Sequence, residues 1–371
     1  MKKVMESIKE DARKRKITNK EIAKFLGISS GQVTHYFNLT NKIPFSKFTE
    51  LCRYIYEEET KIEPHLISYV EKISKKEYIR EAVEWFSNNG KRMLLEKVLE
   101  LKGEEDPLLR IYSLLLLRNK REIKAQDFYI RLDALRDKSL DYPEWKALIR
   151  IATLYAFWDL KSFSMIPFIA EEALKQAEMI TNQYLQKSYQ TRVLEVKAIV
   201  EMKRNNLEES EKFAMEVIRN ENDNPLSANS MYSLLSEMYV FRNYERSVEY
   251  ISKALAQFSA LELTGYSNRQ GMLEATHDFI KIYHGKTDFL FLTDPSEEAH
   301  FLARKGTDKD KKRALEILSK IENENHRLSS HQLYYKALCT GKKEDMDNAL
   351  NQFIINGDLF YSYLARETTD V

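Results

Sequence analysis

Glycine and proline are scarce in this chain, with only 10 Gly and 7 Pro among 371 residues. β-Sheets need tight turns, and tight turns depend on Gly, Pro and Asn-Gly pairs. This scarcity argues against a β-sandwich, a barrel or a glycine-rich nucleotide-binding loop. It predicts an all-α fold of long helices joined by short polar turns. Hydrophobic residues make up 43% of the chain, which excludes wholesale disorder, and the length favours two domains.

The cysteines and the hydropathy pattern predict a cytoplasmic protein. Cys52 and Cys339 lie far apart in a Lys/Glu-rich chain, which favours reduced thiols over a disulfide scaffold or a zinc site. The basic start, residues 1–6, is not followed by the apolar stretch of a signal peptide. No apolar run is long enough to span a membrane. We therefore expect no membrane partner.

Positive charge is concentrated at the N-terminus. Residues 1–47 contain eleven Lys and Arg but four Asp and Glu, a net charge of +7, which leaves −6 for residues 48–371. A basic segment on a mildly acidic body suggests that the segment meets a polyanion such as DNA. The basic run at residues 13–16 does not decide this alone, because such runs are often solvated helix ends.

Residues 18–37 have the pattern of a helix-turn-helix. Thr18 followed by Glu21 predicts a capping box, and Gly27 permits the left-handed turn that ends the first helix. Ser29 then caps a second helix, with Gln32 completing a second capping box. Apolar residues at helical spacing supply the buried faces of the two helices: Ile22, Ala23, Phe25, Leu26, Val33 and Phe37.

A further helix is expected to close this small domain. Its apolar face would consist of Phe45, Phe48, Leu51, Cys52 and Ile55. We therefore predict a DNA-binding domain over residues 1–60 and a second domain over residues 61–371. The alternative is an ordinary pair of helices within a longer α-helical protein.

The second helix of the motif is the predicted recognition helix, because its exposed positions would point into the major groove. The predicted base-facing residues are Ser30, Gly31, Gln32, Thr34 and His35. The predicted phosphate-facing residues are Thr18, Asn19, Lys20 and Lys42. Gln32 has the amide that pairs with adenine. Since the recognition helix has no Arg or Lys, one copy should bind weakly, and we expect a dimer that reads two half-sites of a double-stranded operator.

The rest of the chain predicts a degenerate helical repeat. Residues 204–218 match residues 241–255 at an offset of 37, with Asn206 over Asn243. Ala314-Leu315 recurs as Ala349-Leu350 at an offset of 35. Such periods resemble tetratricopeptide repeats, although the usual Trp, Gly and Pro positions are mostly missing. Stacked helix pairs of this kind form a superhelix whose concave face commonly holds extended peptides.

The C-terminal stretch is crowded with apolar residues. A terminal helix that is apolar on more than one face must bury both faces, either by capping the array or by pairing with a second copy. We favour a homodimer. The predicted interface residues are Phe353, Ile354, Leu359, Phe360, Tyr363 and Leu364.

Catalytic motifs are missing from the sequence. There is no GxxxxGK, GxSxG, HExxH or GxGxxG pattern. His326 and His331 are five residues apart, which does not match the i, i+4 spacing of a helical metal pair. We therefore expect neither an enzyme nor a bound cofactor or metal.

Four segments in a fixed order resemble the phage arbitrium receptors, the AimR family of peptide-sensing regulators. The segments are residues 189–193, residues 205–209, Thr293-Asp294 with Glu297, and residues 357–360. The likeness extends from about residue 145 to residue 364. It implies a homodimer that binds an operator and activates a small regulatory gene promoting lysis. An imported hexapeptide would bind the concave face and end this activation.

The resemblance also implies an acidic pocket, because the peptides of this family carry a basic residue followed by small residues. Glu297 and Asp358 fall where the acidic contacts of the family would lie. Ile199 stands where the family has a pocket asparagine, and residues 225–230 lack an expected basic residue. Asn229 or Arg192 would substitute there. The alternatives are a host quorum-sensing regulator of the same architecture and a protein-binding scaffold without DNA function.

Overall fold

The computed structural model describes residues 1–103, 106–136, 141–261 and 267–367. Every regular element within these ranges is a helix, so the predicted all-α fold is confirmed. The chain divides into two compact units, residues 1–156 with 172–190 and residues 157–171 with 191–371. None of the described helices is both long and apolar enough to cross a membrane.

The first unit begins with four helices that contain the predicted helix-turn-helix. We call them the head, and they are α1 (Lys2–Lys14), α2 (Asn19–Leu26), α3 (Ser30–Phe37) and α4 (Phe45–Ile55). The head core includes every residue of the predicted α4 face, namely Phe45, Phe48, Leu51, Cys52 and Ile55. Burial of these residues against α1 and α2 fixes the position of the short motif helices.

The remaining helices of the first unit follow with short connections. They are α5 (Glu59–Lys72), α6 (Lys76–Asn88), α7 (Arg92–Lys102), α8 (Pro107–Asn119) and α9 (Ala125–Arg136). Three further helices belong partly to each unit, namely α10 (Pro143–Asp159), α11 (Ile166–Glu178) and α12 (Gln183–Lys203).

The predicted boundary between residues 60 and 61 stays a prediction, and the two compact units divide the chain elsewhere. Phe45 packs edge-on against Tyr69 of α5 and Trp85 of α6, with ring centroids 5.3 and 5.9 Å apart. The Tyr69 hydroxyl donates to the carbonyl of Ile43 at 2.6 Å. The apolar core of the head therefore continues without a break into α5 and α6.

The second unit continues the succession of helices, and neighbours along the chain pack on one another. After a 3₁₀ turn at Phe163–Met165 and the shared helices come α13 (Leu207–Ile218), α14 (Pro225–Tyr239), α15 (Tyr244–Ala260), α16 (Ser267–Tyr283), α17 (Pro295–Lys305), α18 (Asp308–Asn325), α19 (Ser330–Thr340), α20 (Lys343–Ile355) and α21 (Ser362–Glu367).

The internal repeats correspond to equivalent positions in this unit. Asn206 and Asn243 are the N-cap residues of α13 and α15. Ala314 of α18 and Ala349 of α20 are both fully buried, as the close approach of paired helices requires. The sequence periods therefore mark real helix pairs.

The apolar C-terminal stretch is not the single helix that the sequence suggested. Helix α20 ends at Ile355, Gly357 has a left-handed φ of 66°, and α21 begins at Ser362. The reversal at Gly357 explains why apolar residues occur at spacings that no single helix face accommodates.

Candidate functional site

The first candidate site is the helix-turn-helix of the head, and its local hydrogen bonds are those expected. The Thr18 hydroxyl accepts from the Glu21 N–H at 3.3 Å, while the Glu21 carboxylate accepts from the Thr18 N–H at 2.7 Å. The Thr18 N–H and the Thr18 hydroxyl both donate to the Glu21 carboxylate at 2.7 Å, which holds the pKa of Glu21 below its usual value. Gly27 ends α2 in the left-handed region at φ 65°. Both predictions are confirmed.

Two details of the motif differ from the prediction. Ser29 caps α3 by accepting from the Gln32 N–H at 3.1 Å, but the Gln32 amide donates to the Tyr36 hydroxyl at 2.9 Å instead of completing a capping box. Phe25 is 53% exposed and stacks on Tyr54, so it does not belong to the buried stripe. Tyr36 takes a place in the core that the sequence did not assign to it.

The predicted DNA-facing residues share one property, since eight are exposed and Gln32 is half-buried. The exposed ones are Thr18, Asn19, Lys20, Ser30, Gly31, Thr34, His35 and Lys42. The Asn19 amide donates to the Thr34 hydroxyl at 3.1 Å, which ties the start of α2 to the outer face of α3. The His35 ring nitrogen Nδ1 lies 2.7 Å from the Thr40 hydroxyl. Polar groups from two helices thus form one solvent-facing surface.

The second candidate site is a set of ionisable residues inside the second unit, which we call the buried charge cluster. Its members are Lys203, Glu237, Glu297, His300, His331, Asp358 and Tyr361. Two of them, Glu297 and Asp358, are predicted peptide-binding residues. They come from five different parts of the sequence, at the end of α12, on α14, on α17, on α19 and between α20 and α21.

Glu297 lies at the start of α17 with both carboxyl oxygens occupied. The Tyr335 hydroxyl donates to Oε1 at 2.8 Å, and Nδ1 of His300 lies 3.0 Å from Oε2. The His300 ring stacks on Tyr335 with centroids 4.3 Å apart. Burial raises the pKa of Glu297 to about 8, although the Tyr335 hydrogen bond opposes this. The carboxyl is therefore largely protonated at neutral pH.

Asp358 lies in the turn before α21 and accepts two hydrogen bonds. Lys203 Nζ donates to Oδ2 at 2.5 Å, and the Tyr361 N–H donates to Oδ1 at 3.2 Å. The Tyr361 hydroxyl in turn donates to Glu237 at 2.8 Å. Burial raises the pKa of Glu237 to about 7, and the nearby ammonium of Lys203 opposes this rise. Asp358 adds to it by like-charge repulsion.

His331 connects the two acidic positions. Its ring packs edge-on against Phe353 and Tyr361, with centroids 5.1 and 4.5 Å away. Burial lowers the pKa of His331 to about 4, while Asp358 and Glu297 both oppose this shift. The imidazole is therefore neutral at pH 7, and the structure brings both predicted acids into the surroundings of one half-buried ring.

Arg192 and Asn229 are both buried, and Asn229 is held by a cation that the sequence analysis missed. Arg269 of α16 donates through Nε to the Asn229 side-chain oxygen at 2.9 Å. Its Nη2 donates to the Leu226 carbonyl at 2.8 Å and to the Ser230 hydroxyl at 2.6 Å. Residues 225–230 lack the basic residue expected at the start of α14, but Arg269 supplies a basic group there. Its source, 40 residues away in sequence, carries no local pattern that would reveal it.

The six predicted dimer residues divide into two groups. Phe353, Phe360 and Leu364 are buried in the core of the second unit. A side chain buried within its own chain has no surface to offer a partner, so these three are corrected to core residues. Ile354, Leu359 and Tyr363 remain 45%, 43% and 44% exposed and stay available for an interface.

The chain has relatives among known proteins. The model of the family described as "AimR transcriptional regulator-like" matches residues 62–368. An uncharacterized protein of Bacillus anthracis is 28% identical over 228 residues, which cover 60% of this chain and 83% of that protein.

Two solved structures share the fold. The structure of SeMet-phAimR matches with a TM-score of 0.72 and 18% identity, covering 99% of this chain and 96% of that one. The structure of phAimR with its ligand matches with a TM-score of 0.68 and 19% identity, covering 83% and 92%. The family match spans most of the chain and includes the buried charge cluster. The chain belongs to the AimR transcriptional regulator-like family.

Proposed function

We propose that this protein is a peptide-controlled, DNA-binding transcription regulator of a phage lysis–lysogeny decision, without enzymatic activity, acting in the bacterial cytoplasm. The unliganded homodimer binds an operator and activates a small regulatory gene. A short imported signalling peptide binds the second unit and ends this activation. The observation that carries the proposal is that one chain of this family contains both an exposed, basic helix-turn-helix and the buried charge cluster.

The DNA-binding step rests on the surface of the head. Of its eleven Lys and Arg residues within 1–47, nine are exposed. Exposed cations release counterions from the DNA backbone and give affinity without sequence preference. Gln32, Thr34 and His35 on α3 then supply the contacts to base edges, with Ser30 and Gly31 at the start of the helix.

The peptide-binding step rests on Glu297 and Asp358. A peptide with one basic side chain needs a carboxylate partner wherever that side chain is removed from water. Both acids are buried and share the surroundings of His331. Asp358 pairs with Lys203 in the free protein, and a bound peptide cation would favour ionisation of the Glu297 carboxyl. Arg269 and Asn229 would meet a polar or anionic group elsewhere on the peptide, with Arg192 as a further candidate.

Coupling between the two steps follows from a population shift. A ligand changes DNA binding only if it prefers one of two conformations of the array. In one conformation two heads of a dimer lie about 34 Å apart and both half-sites are engaged. Peptide binding favours a conformation that lacks this spacing, at a coupling free energy of about 1–3 kcal/mol. Ile354, Leu359 and Tyr363 are the proposed interface residues.

Fluorescence anisotropy on DNA fragments from beside the gene tests this proposal. The protein would be titrated at two salt concentrations, with and without short peptides encoded nearby. Selective binding that one peptide weakens supports the regulator. Selective DNA binding that no peptide alters overturns the sensor role. If a folded dimer shows no selective DNA binding, the DNA-binding role is overturned. Lys336→Gln is the charge control for a head substitution such as Lys20→Gln, because Lys336 lies on α19 in the second unit. It should leave DNA binding unchanged.

A further inference from the structure

The ammonium group of Lys203 is enclosed by one carboxylate and two aromatic rings. Its Nζ lies 2.5 Å from Asp358 Oδ2 and 5.8 Å from the ring centroids of both Trp158 and Phe163. The two rings meet edge-on with centroids 5.1 Å apart. A carboxylate and the faces of two aromatic rings are the groups that bind an organic cation.

The backbone builds this enclosure independently of the lysine side chain. The carbonyl of Lys203, the last residue of α12, accepts from the N–H groups of Leu359 at 2.8 Å and Phe360 at 3.3 Å. The Tyr361 N–H orients the Asp358 carboxylate. A Cβ at Gly357 would lie 3.6 Å from the Phe163 ring, so the turn packs directly on the aromatic wall. The walls would persist if the lysine side chain withdrew.

We propose that Trp158, Phe163 and Asp358 form a cation-binding site for the basic side chain of a peptide, and that Lys203 is its resident internal competitor. The proposal rests on the proposed peptide-sensing function and adds the site's aromatic walls and its occupant. A peptide cation enters only by displacing the Lys203 ammonium, because two cations on one carboxylate repel each other.

Displacement makes the site selective for arginine. A guanidinium forms two parallel hydrogen bonds with a carboxylate and stacks on aromatic rings, whereas an ammonium offers a single point charge. A peptide lysine would replace the Lys203 ammonium with another ammonium, so it would gain no better contact. It would also be at a disadvantage, because Lys203 belongs to the same chain as the site. A peptide arginine can form the paired hydrogen bonds and the aromatic stacking that the Lys203 ammonium cannot. Lys203 therefore sets the affinity threshold and the preference for arginine.

A matched control lies on the same helix. Lys197 of α12 pairs with Glu171 at 2.6 Å and lies 4.7 Å from the Phe213 ring centroid. Its side chain is 20% exposed, against 23% for Lys203. Lys197→Met thus removes an equivalent charge and an equivalent aromatic contact without touching Asp358.

The test is isothermal titration calorimetry of the full chain with synthetic hexapeptides that carry arginine followed by two small residues. The matched peptides carry the uncharged isostere citrulline instead. Lys203→Met should bind the arginine peptides about tenfold more tightly than the unsubstituted chain. Its affinity for the citrulline peptides and the affinities of Lys197→Met should not change.

A second variant keeps the inference testable if Lys203→Met is poorly folded by circular dichroism. Lys203→Arg retains the charge and strengthens the internal pair, so it should weaken arginine-peptide binding several-fold. Equal affinities of Lys203→Met and the unsubstituted chain, or no binding by the folded variant, overturn the internal competitor. Loss of operator control by nearby-encoded peptides is measured separately and overturns the proposed function instead.

Discussion

The head and the buried charge cluster use charge in opposite ways. In the head, nine of eleven cations within residues 1–47 are exposed to water. In the cluster, Glu297 is buried and Glu237 and His331 are half-buried, and the pKa values of Glu237, Glu297 and His331 move to about 7, about 8 and about 4. Charges in water are screened by solvent and salt and interact weakly, whereas charges removed from water are screened much less and interact strongly with their neighbours.

This difference suits the two regions to the two proposed steps, DNA binding and peptide binding. A surface of solvated cations suits DNA, whose phosphates present many equivalent charges. A desolvated cluster suits a single cationic group whose fit can be checked in detail. We therefore expect the head to tolerate the loss of any one charge and the cluster not to.

The largest expected effect is the removal of Asp358. Asp358→Ala takes away the partner of the Lys203 ammonium and the acceptor of the Tyr361 N–H. Breaking a mostly buried ion pair should cost about 3 kcal/mol and lower the unfolding midpoint in urea or on heating. The control is Glu10→Gln, which breaks a pair with Lys14 whose side chains are 69% and 65% exposed and should leave the midpoint unchanged. Equal effects of the two substitutions would contradict the contrast between the regions.

The next effect is a loss of stability as the pH rises from 6.5 to 8. Glu297 has a folded pKa of about 8 and Glu237 one of about 7, both above the ordinary glutamate value of 4.5. The folded state therefore holds more protons than the unfolded state over this interval, and stability falls with pH by about 1–2 kcal/mol. Below pH 6.5 the lowered pKa of His331 acts in the opposite direction, because there the unfolded state binds the extra proton.

Thermal melts at several pH values measure this dependence. Glu297→Gln removes the largest contribution, so its melting temperature should vary less between pH 6.5 and 8 than that of the unsubstituted chain. The surroundings of Glu297 include Tyr335 and His331 from α19, Asp278 from α16 and the neighbouring Asp294. The variant keeps each of these residues, and it also removes the opposition of Glu297 to the lowered pKa of His331. Parallel pH curves for the two proteins would contradict the assignment.

The same contrast explains how much the sequence could predict. The capping box of Thr18 and Glu21 and the left-handed Gly27 depend on residues a few positions apart, so spacing alone revealed them. The apolar face of α4 follows from helical periodicity. The repeat periods likewise predicted the helix pairs of the second unit.

The buried charge cluster could be predicted only in part. Resemblance to a family pointed to Glu297 and Asp358, but the partner of Asp358 is Lys203, 155 residues away. The partner of Tyr361 is Glu237, 124 residues away, and Arg269 reaches Asn229 from another helix. No periodicity encodes such pairs. The exposed Phe25 and the buried Phe353 show the same limit, because tertiary packing decides which apolar residues face water.

A smaller effect is expected within the turn of the head. Gly27→Ala places a Cβ at φ 65°, where it meets no atom within 4 Å, so the cost of about 1 kcal/mol comes from the backbone alone. Gly31→Ala is the matched control in α3, since its backbone is helical and its Cβ would lie 3.8 Å from the Ser29 hydroxyl oxygen. It should stabilise the chain by about 0.5 kcal/mol. Chemical denaturation distinguishes the opposite signs, and a shared sign would contradict the left-handed turn.

The smallest effect concerns a single exposed cation of the head. If Lys20 contacts one phosphate, Lys20→Gln should reduce the slope of log affinity against log salt by about 1, and so change operator affinity only a few-fold. Base preference should not change, because a phosphate contact carries no sequence information. Gln32→Ala should do the reverse, relaxing base preference at one position while leaving the salt slope intact. Anisotropy at four salt concentrations on the operator and on single-base variants measures both quantities. An unchanged slope for Lys20→Gln would remove that residue from the interface, and it would show that the solvated charges of the head are as position-dependent as the buried ones.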